Sequence, residues 1–128
     1  MLLRLSLYTV LFVCMVSCKK ETTTNNNVDL QSGTWRINYY WDTKDETSSF
    51  TSYIFMFNSG GSIMAHTSTS MVTGTWSETA TKLTLNFGSD PVLSGLNGDW
   101  LKTEKTTTSL KLKDDNAGQD DKVYFVKN

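Results

Sequence analysis

Cysteine, histidine and proline are scarce in this 128-residue sequence, which holds two cysteines, one histidine and one proline. The single histidine, His66, has no cysteine near it in the sequence and no second histidine to act with it. A metal site built from imidazole and thiolate ligands is therefore excluded. We interpret His66 as a polar residue at a strand end, and we expect neither a metal nor a cofactor.

Catalytic motifs are missing as well. No G-x-S-x-G elbow occurs among the many serines, and no His/Asp pair is placed to activate a hydroxyl. The carboxylates are scattered, and no glycine-rich loop precedes a helix that could hold phosphate. The acidic segment Asp114–Asp121 lacks the ligand spacing and the closing glutamate of an EF-hand, so we interpret it as a solvated hairpin loop. We predict that the protein is not an enzyme.

Positive charge is not concentrated anywhere beyond Lys19-Lys20, and the formal net charge of the chain is −1. The only adjacent basic pair, Lys19-Lys20, is too small to make a nucleic-acid-binding surface. We therefore predict no nucleic-acid partner. Beside a lipid anchor, these two lysines are expected to face membrane headgroups.

One long apolar run is present, and it begins the chain. Arg4 precedes an apolar stretch from Leu5 to Val16. The residues Met15-Val16-Ser17-Cys18 overlap the end of this stretch. The run is shorter than the roughly 20 residues of a membrane-spanning helix, and a small residue before a cut is typical of a secretory signal. A cysteine directly after that residue indicates a lipoprotein cleavage box. We predict a signal peptide over residues 1–17 and lipid on Cys18. An uncleaved membrane anchor and a plain secretory signal are the alternatives.

Lipid attachment also explains the cysteine count. Cys14 lies inside the apolar run and leaves with the signal, so Cys18 is the only thiol of the mature chain and no internal disulfide can form. We expect the protein at the bacterial cell envelope, bound to a membrane through fatty acyl chains such as palmitate on Cys18. No aspartate stands directly after Cys18, where Lys19 lies instead, and this favours the outer membrane. Residues 18–29, which include the run ETTTNNN, are expected to form a flexible polar tether.

Residues 30–128 carry the pattern of short β-strands and no convincing helix. Apolar and polar residues alternate from Trp35 to Trp41 and from Leu83 to Phe87. Glycine-containing turns such as Asn58-Ser59-Gly60-Gly61 separate the runs, and Gly88–Asn97, around the only proline, is expected to make a short turn that covers apolar surface. Further strands are predicted over 50–57, 62–67, 71–77, 100–105, 108–113 and 123–126. About eight strands favour an all-β antiparallel up-and-down meander closed into a barrel, with a sandwich as the alternative.

Three triplets recur near predicted strand starts: Gly33-Thr34-Trp35, Gly74-Thr75-Trp76 and Gly98-Asp99-Trp100. Their unequal spacing excludes a tandem repeat. Glycine permits close approach of the backbone, and the tryptophan buries a large ring. With the lipoprotein box and the polar tether before it, the first triplet resembles the G-x-W signature of the small bacterial lipocalin-like lipoproteins.

This resemblance covers Gly33 to Lys127 and implies an eight-stranded lipocalin-like barrel. In lipocalins the signature tryptophan closes the barrel floor, often under a basic side chain from the last strand. The resemblance gives Trp35 that position and requires Lys122 or Lys127 in place of the usual arginine. No C-terminal helix is predicted.

Large aromatic side chains on several strands are the candidates for a barrel floor or a cavity. They are Trp35, Tyr39, Phe55, Trp76, Phe87 and Trp100. A barrel of eight strands is either filled by its own side chains or holds one small ligand, and both interpretations stay open here. The first functional hypothesis is binding of a small apolar ligand at the envelope. The alternative is a non-catalytic interaction module, an accessory subunit or an inhibitor, that uses the Asp42–Ser49 loop and the Gly88–Asn97 segment.

Overall fold

The structure, a computed structural model, describes residues 29–128, which form nine antiparallel strands and two short 3-10 turns. The predicted signal peptide, the box at Cys18 and all but the last residue of the tether lie outside the described residues. The strands are β1 Trp35–Asp42, β2 Lys44–Asp45, β3 Ile54–Phe57, β4 Ser62–His66, β5 Met71–Glu78, β6 Lys82–Asn86, β7 Gly98–Lys105, β8 Ser109–Asp114 and β9 Lys122–Lys127. The 3-10 turns are Thr47–Ser49 and Leu93–Leu96.

Eight of these strands close into an antiparallel up-and-down barrel, which confirms the predicted fold class. Each strand from β3 to β8 pairs with the next one in the chain, and β9 returns to β1 over the register Trp35↔Lys127 to Trp41↔Lys122. The circle is completed between β1 and β3 by the pair Trp35↔Phe55. The remaining strand, β2, has two residues and folds back on the end of β1.

The two ends of the barrel differ in their connections. The floor end, where β1 begins and β9 ends, has short turns at residues 58–61, 79–81 and 106–108, and the C-terminal Asn128 donates its backbone N–H to the Thr34 carbonyl there. The mouth end carries the longer connections, residues 43–53, 87–97 and 115–121. The chain therefore enters the barrel at the floor end, and its long loops lie at the opposite end.

The core follows the alternation that the sequence predicts on most strands. Leu83 and Leu85 on β6 and Leu110 and Leu112 on β8 are buried, and the residues between them are not. Within residues 29–128 every buried side chain is apolar, and no buried polar atom lacks a hydrogen-bond partner. These ladders and this core lie wholly inside residues 29–128, so that segment has what a domain needs to fold on its own.

On β1 the alternation predicted from the sequence fails after Ile37. A β-bulge between Ile37 and Tyr39 adds one unpaired residue, Asn38, and so exchanges the two faces of the strand. Tyr40 is consequently buried, and Tyr39 pairs with Tyr124 on the outer face, with ring centroids 4.9 Å apart. The cavity position that the sequence suggested for Tyr39 belongs to its neighbour.

The strand predicted over residues 50–57 is also shorter than expected, because only Ile54–Phe57 pair with β4. Phe50 belongs to the preceding loop, where its ring lies 4.6 Å from that of Tyr40. Within the described part of the chain, no helix has the length and apolar character needed to cross a membrane.

Candidate functional site

The barrel interior is occupied by the protein's own side chains. Of the six aromatic residues that the sequence offered as floor or cavity candidates, Trp35, Phe55, Phe87 and Trp100 are at most 4% exposed. Phe55 packs edge-on against Phe125, with ring centroids 5.3 Å apart and planes at 86°. Such offset and edge-to-face contacts fill a core closely. The structure thus brings these four rings together as packing.

Trp76 and Tyr39, the other two candidates, are only partly buried. Trp76 faces inward near the floor end, since it pairs with the buried Leu85. Its ring stands at 88° to Phe57, and its indole N–H donates to the Asn58 carbonyl at 3.0 Å. That bond fixes the second triplet to the turn between β3 and β4. Tyr39 takes no part in the interior.

At the floor end, Trp35 is fully buried and donates its indole N–H to the Leu30 carbonyl at 2.9 Å. Of the two lysines that the sequence offered as the basic partner, Lys127 lies over this ring, with Nζ 5.3 Å from a ring centroid. A cation at this distance is attracted by the negative face of the ring. The floor is therefore closed by one tryptophan between a residue of the N-terminal segment and the last strand.

The glycines of the three triplets have different reasons to be glycine. Gly33 and Gly98 have backbone φ values of +77° and +131°. Residues with a side chain rarely adopt such values. Gly74 has no such backbone conformation, but a Cβ there would lie 2.4 Å from the Asn86 carbonyl oxygen and 2.8 Å from the Phe87 ring. The second triplet therefore depends on the close approach of β5 to β6.

The mouth end is closed by a plug of four apolar side chains. These are Tyr40 from β1, Phe50 from the first long connection, and Leu93 and Leu96 from the second; each is at most 3% exposed. The Tyr40 hydroxyl donates to the Gly95 carbonyl at 2.9 Å and so joins β1 to the Leu93–Leu96 turn. A Cβ at Gly95 would come within 3.1 Å of that hydroxyl. The expectation that the 88–97 segment covers apolar surface is confirmed.

Side chains of the same segment hold its two ends. Asp90 accepts the backbone N–H groups of Val92 and Leu93 at 3.0 and 2.8 Å, which starts the 3-10 turn. Asn97 accepts the backbone N–H of Phe87 at 2.6 Å and donates to the Gly88 carbonyl at 2.9 Å. The plug is thus a defined substructure with its own polar supports.

Negative charge collects around the mouth. Burial, and after it the charges of Asp42, Asp114 and Asp120, raises the pKa of the Asp121 carboxyl. Burial, and after it the charges of four carboxylates, raises the pKa of the Tyr40 phenol to about 12. The phenol therefore stays protonated and able to donate to Gly95 at neutral pH. In residues 29–128 no group of acidic, histidine or cysteine side chains has the arrangement of a metal site.

On the surface of residues 29–128, hollows open to solvent lie at three places, and none of these three is lined by a buried core residue. One, of about 490 Å³, lies between the 79–81 turn and β7 at the floor end; two others lie at the mouth, beside residues 118–121 and beside Asp99 and Asp114. Any molecule bound at these places would contact polar and charged groups on the outside of the core. No pattern in the sequence marks the floor-end hollow, which depends on a β-bulge in β7 between Lys102 and Glu104.

Comparison with solved structures supports the fold. The chain is similar to a DUF4847-family protein of Bacteroides vulgatus (14% identity, TM-score 0.59, covering 78% of this chain and 95% of that one). It is also similar to a lipocalin-like protein of Bacteroides uniformis (16% identity, TM-score 0.57, covering 77% of this chain and 98% of that one). A third similar structure is an uncharacterized protein of Bacteroides eggerthii (14% identity, TM-score 0.54, covering 77% of this chain and 99% of that one). No protein-family model and no curated protein sequence matches the chain. At these identities the likeness concerns the lipocalin-like barrel fold alone.

Proposed function

We propose that this protein is a non-catalytic binding module of the bacterial cell envelope, held to a membrane by lipid on Cys18, that presents its mouth-end loops to a protein partner. The observation that carries this proposal is the separation of the two ends. The chain enters at the floor end, whereas the three long connections lie at the mouth end. A tether of the length of residues 18–29 would reach roughly 35 Å when extended, so the floor would face the membrane and the loops would face away from it.

The filled interior favours a partner that binds to the outside of the barrel. Aromatic rings and aliphatic side chains occupy the centre, and the plug closes the mouth. Binding through loops on a rigid scaffold needs no cavity and no catalytic residues. The two segments that the sequence suggested as contact surfaces, Asp42–Ser49 and Gly88–Asn97, both lie at the mouth end and bring several carboxylates with them. A partner with a basic surface fits this end best.

Photo-crosslinking in intact cells tests this proposal. A photoreactive residue would be placed at Ser48 or Gln119, both exposed at the mouth end, and at Thr107, exposed in a floor-end turn, as the matched control. We expect one protein to be captured from both mouth-end positions and not from Thr107. Recovery of the uncrosslinked monomer from all three positions would contradict a partner at the mouth.

A small apolar ligand inside the barrel is the second candidate. The lipocalin-like fold supports it, and the plug is the element that would have to move, since Leu93 and Leu96 close the mouth. Residues 28–128 would be extracted with organic solvent and titrated with fatty acids and aromatic probes while tryptophan fluorescence is followed. We expect a saturable change if the plug opens to a ligand. No co-extracted molecule and no saturable change would exclude this candidate.

A further inference from the structure

The inner face of the barrel changes character at the floor end beyond the core, where charged residues replace apolar ones. Glu78 pairs with Leu83, Lys102 with Leu112 and Lys105 with Leu110. All three leucines are fully buried. Residues directly opposite each other on neighbouring strands share a face of the sheet, so Glu78 and both lysines face inward. Charged residues are rare at inward positions unless they are paired, and Glu78 is paired with both lysines.

A β-bulge on β7 creates this arrangement. Lys102 and Lys105 are three residues apart, and in a regular strand their side chains would point to opposite faces. The pairing with β8 shifts register between Lys102 and Glu104, which adds one residue on β7 and turns Lys105 to the same face as Lys102. Bulges of this kind commonly re-aim a side chain at a functional site.

The two lysines converge on one carboxylate oxygen. Lys102 Nζ lies 2.7 Å from Glu78 Oε1 and also donates to the Thr79 carbonyl, and Lys105 Nζ donates to the same Glu78 oxygen. The lysine side chains are only 9% and 14% exposed, and that of Glu78 is 23% exposed. Burial raises the pKa of Glu78, but the hydrogen bonds and charges of the two lysines outweigh it and leave this pKa below its ordinary value. Two cations thus face one anion in a partly desolvated place.

The hollow of about 490 Å³ opens beside Glu78 and the two lysines, and the lysine ammonium groups have N–H donors that these contacts do not use. Each ammonium has three N–H donors, and within residues 29–128 Lys102 uses two and Lys105 uses one in the bonds just described. The other carboxylate at the hollow, Glu104, is engaged by Ser109 at 3.0 Å and by Lys111 at 3.3 Å. One positive charge and three N–H donors are therefore left for an anion.

We propose that Lys102 and Lys105 form a binding site for a phosphate group at the floor end of the barrel. Lysine binds phosphate as a point charge, and lysines at inward positions are held in place by packing instead of moving freely in solvent. The phosphate comes from an anionic lipid headgroup or from a soluble phosphate ester. The lipid source rests on the membrane anchoring proposed above, because that anchoring turns this end toward the headgroups. Phosphate binding by itself does not rest on it.

Glu78 makes the test decisive, because it competes with the phosphate for both lysines. Residues 28–128 would be titrated with inorganic phosphate at constant ionic strength while the amide NMR signals of residues 78–81 and 102–105 are followed. We expect Lys102→Gln and Lys105→Gln to weaken binding at least about tenfold and Glu78→Gln to tighten it several-fold. Lys113→Gln, an equal charge change at an exposed position on β8, is expected to leave affinity within about twofold.

A purely structural ion cluster would behave differently. In that case Glu78→Gln would lower the melting temperature without tightening phosphate binding, and this result would overturn the proposal. No saturable binding by the unmodified protein, or an equal loss in Lys113→Gln, would overturn it as well. Circular dichroism melts of every variant show that the folded barrel is being titrated.

A second titration separates the two phosphate sources. Vesicles of phosphatidylcholine alone and vesicles that also contain phosphatidylglycerol would be added to the same proteins. Binding to the anionic vesicles that depends on Lys102 and Lys105 supports the lipid source, and its absence beside phosphate binding supports a soluble ester. Either result leaves the anchoring on Cys18 to be judged by its own experiment.

Discussion

Replacement of Tyr40 by phenylalanine tests how the mouth of the barrel is held closed. The substitution keeps the ring that packs 4.6 Å from Phe50 and removes only the hydroxyl that donates to the Gly95 carbonyl at 2.9 Å. Tyr40 is 2% exposed, whereas Gly95 is exposed, so this bond lies at the edge of the plug. The plug would keep its apolar contacts and lose its bond to β1.

The expected loss follows from the net energetics of a hydrogen bond, which contributes about 0.5–1.5 kcal/mol. Gly95 is exposed, so water can reach its carbonyl in the variant. We therefore expect Tyr40→Phe to lower the free energy of unfolding by about 0.5–1.5 kcal/mol at pH 7. In a domain of this size each kcal/mol corresponds to a fall in melting temperature of roughly 4–8 °C.

The pH dependence gives this prediction a second part. Because the pKa of Tyr40 is raised to about 12 in the folded protein, an unfolded chain releases this proton first, near pH 10. The stability that the protonated phenol supplies is then fully present below pH 10 and is lost as the pH rises toward 12. The difference between the unmodified protein and Tyr40→Phe should accordingly shrink over that range.

Urea unfolding at several pH values, with hydrogen exchange of residues 93–97, measures both parts. Tyr53→Phe is the matched control, since Tyr53 is only partly buried and its hydroxyl has no protein partner within residues 29–128. We expect faster exchange in the plug of Tyr40→Phe and no change in the control. Two results would refute a stabilising hydrogen bond between Tyr40 and Gly95. One is equal stability of the two variants at pH 7. The other is a stability difference between the unmodified protein and Tyr40→Phe that does not change between pH 8 and 11.

Three further substitutions, the first with a control substitution, probe the two ends of the barrel and the pairing between β5 and β6. Gly74→Ala is expected to destabilise the barrel by about 1–3 kcal/mol in urea unfolding, because the new Cβ meets the Asn86 backbone. Gly118→Ala is the control, since a Cβ there has no contact below 3.4 Å. Its free energy of unfolding should stay within about 0.5 kcal/mol of that of the unmodified protein. Lys127→Met should cost about 0.5–1 kcal/mol through the lost cation–π contact with the floor tryptophan; an unchanged urea midpoint would count against that contact. Asp121→Asn should raise the melting temperature by a few degrees at pH 7 and not at pH 3, because the pKa of this carboxyl is raised on folding and its ionised form disfavours the folded state; a pH-independent effect would contradict this assignment.

Much of the barrel follows from local sequence pattern. Leu83 with Leu85, and Leu110 with Leu112, alternate with polar residues, and a half-buried strand has this period. The turn at residues 58–61 is marked by its glycines, and the 88–97 segment by its proline and its leucines. These features are decided within a few residues, so the sequence alone was enough to predict them.

The two bulges were not predictable in the same way. Asn38 and the residues near Thr103 look like ordinary members of their strands, and nothing local marks them as extra. A bulge depends on the pairing with the neighbouring strand, which the sequence pattern does not specify. For this reason Tyr39 was assigned to the interior in place of Tyr40, and the inward position of Lys105 was missed.

The position of Phe50 was missed for a related reason. Its aromatic and β-branched neighbours favour a strand by propensity, but its ring is needed to cover Tyr40 and close the mouth. Tertiary packing overrides propensity at this point. The candidate site was therefore predictable as a set of aromatic residues, and their division into packed core, outer face and plug was not.

Intact-mass spectrometry of the protein purified from the membranes of its own cells tests the central claim most directly. The proposal of an anchored binding module predicts a chain that begins at Cys18 and carries fatty acyl chains, and Cys18→Ala should remove both the added mass and the membrane association. A mature chain that begins elsewhere, or an unmodified Cys18 in a protein free of membranes, would contradict the claim.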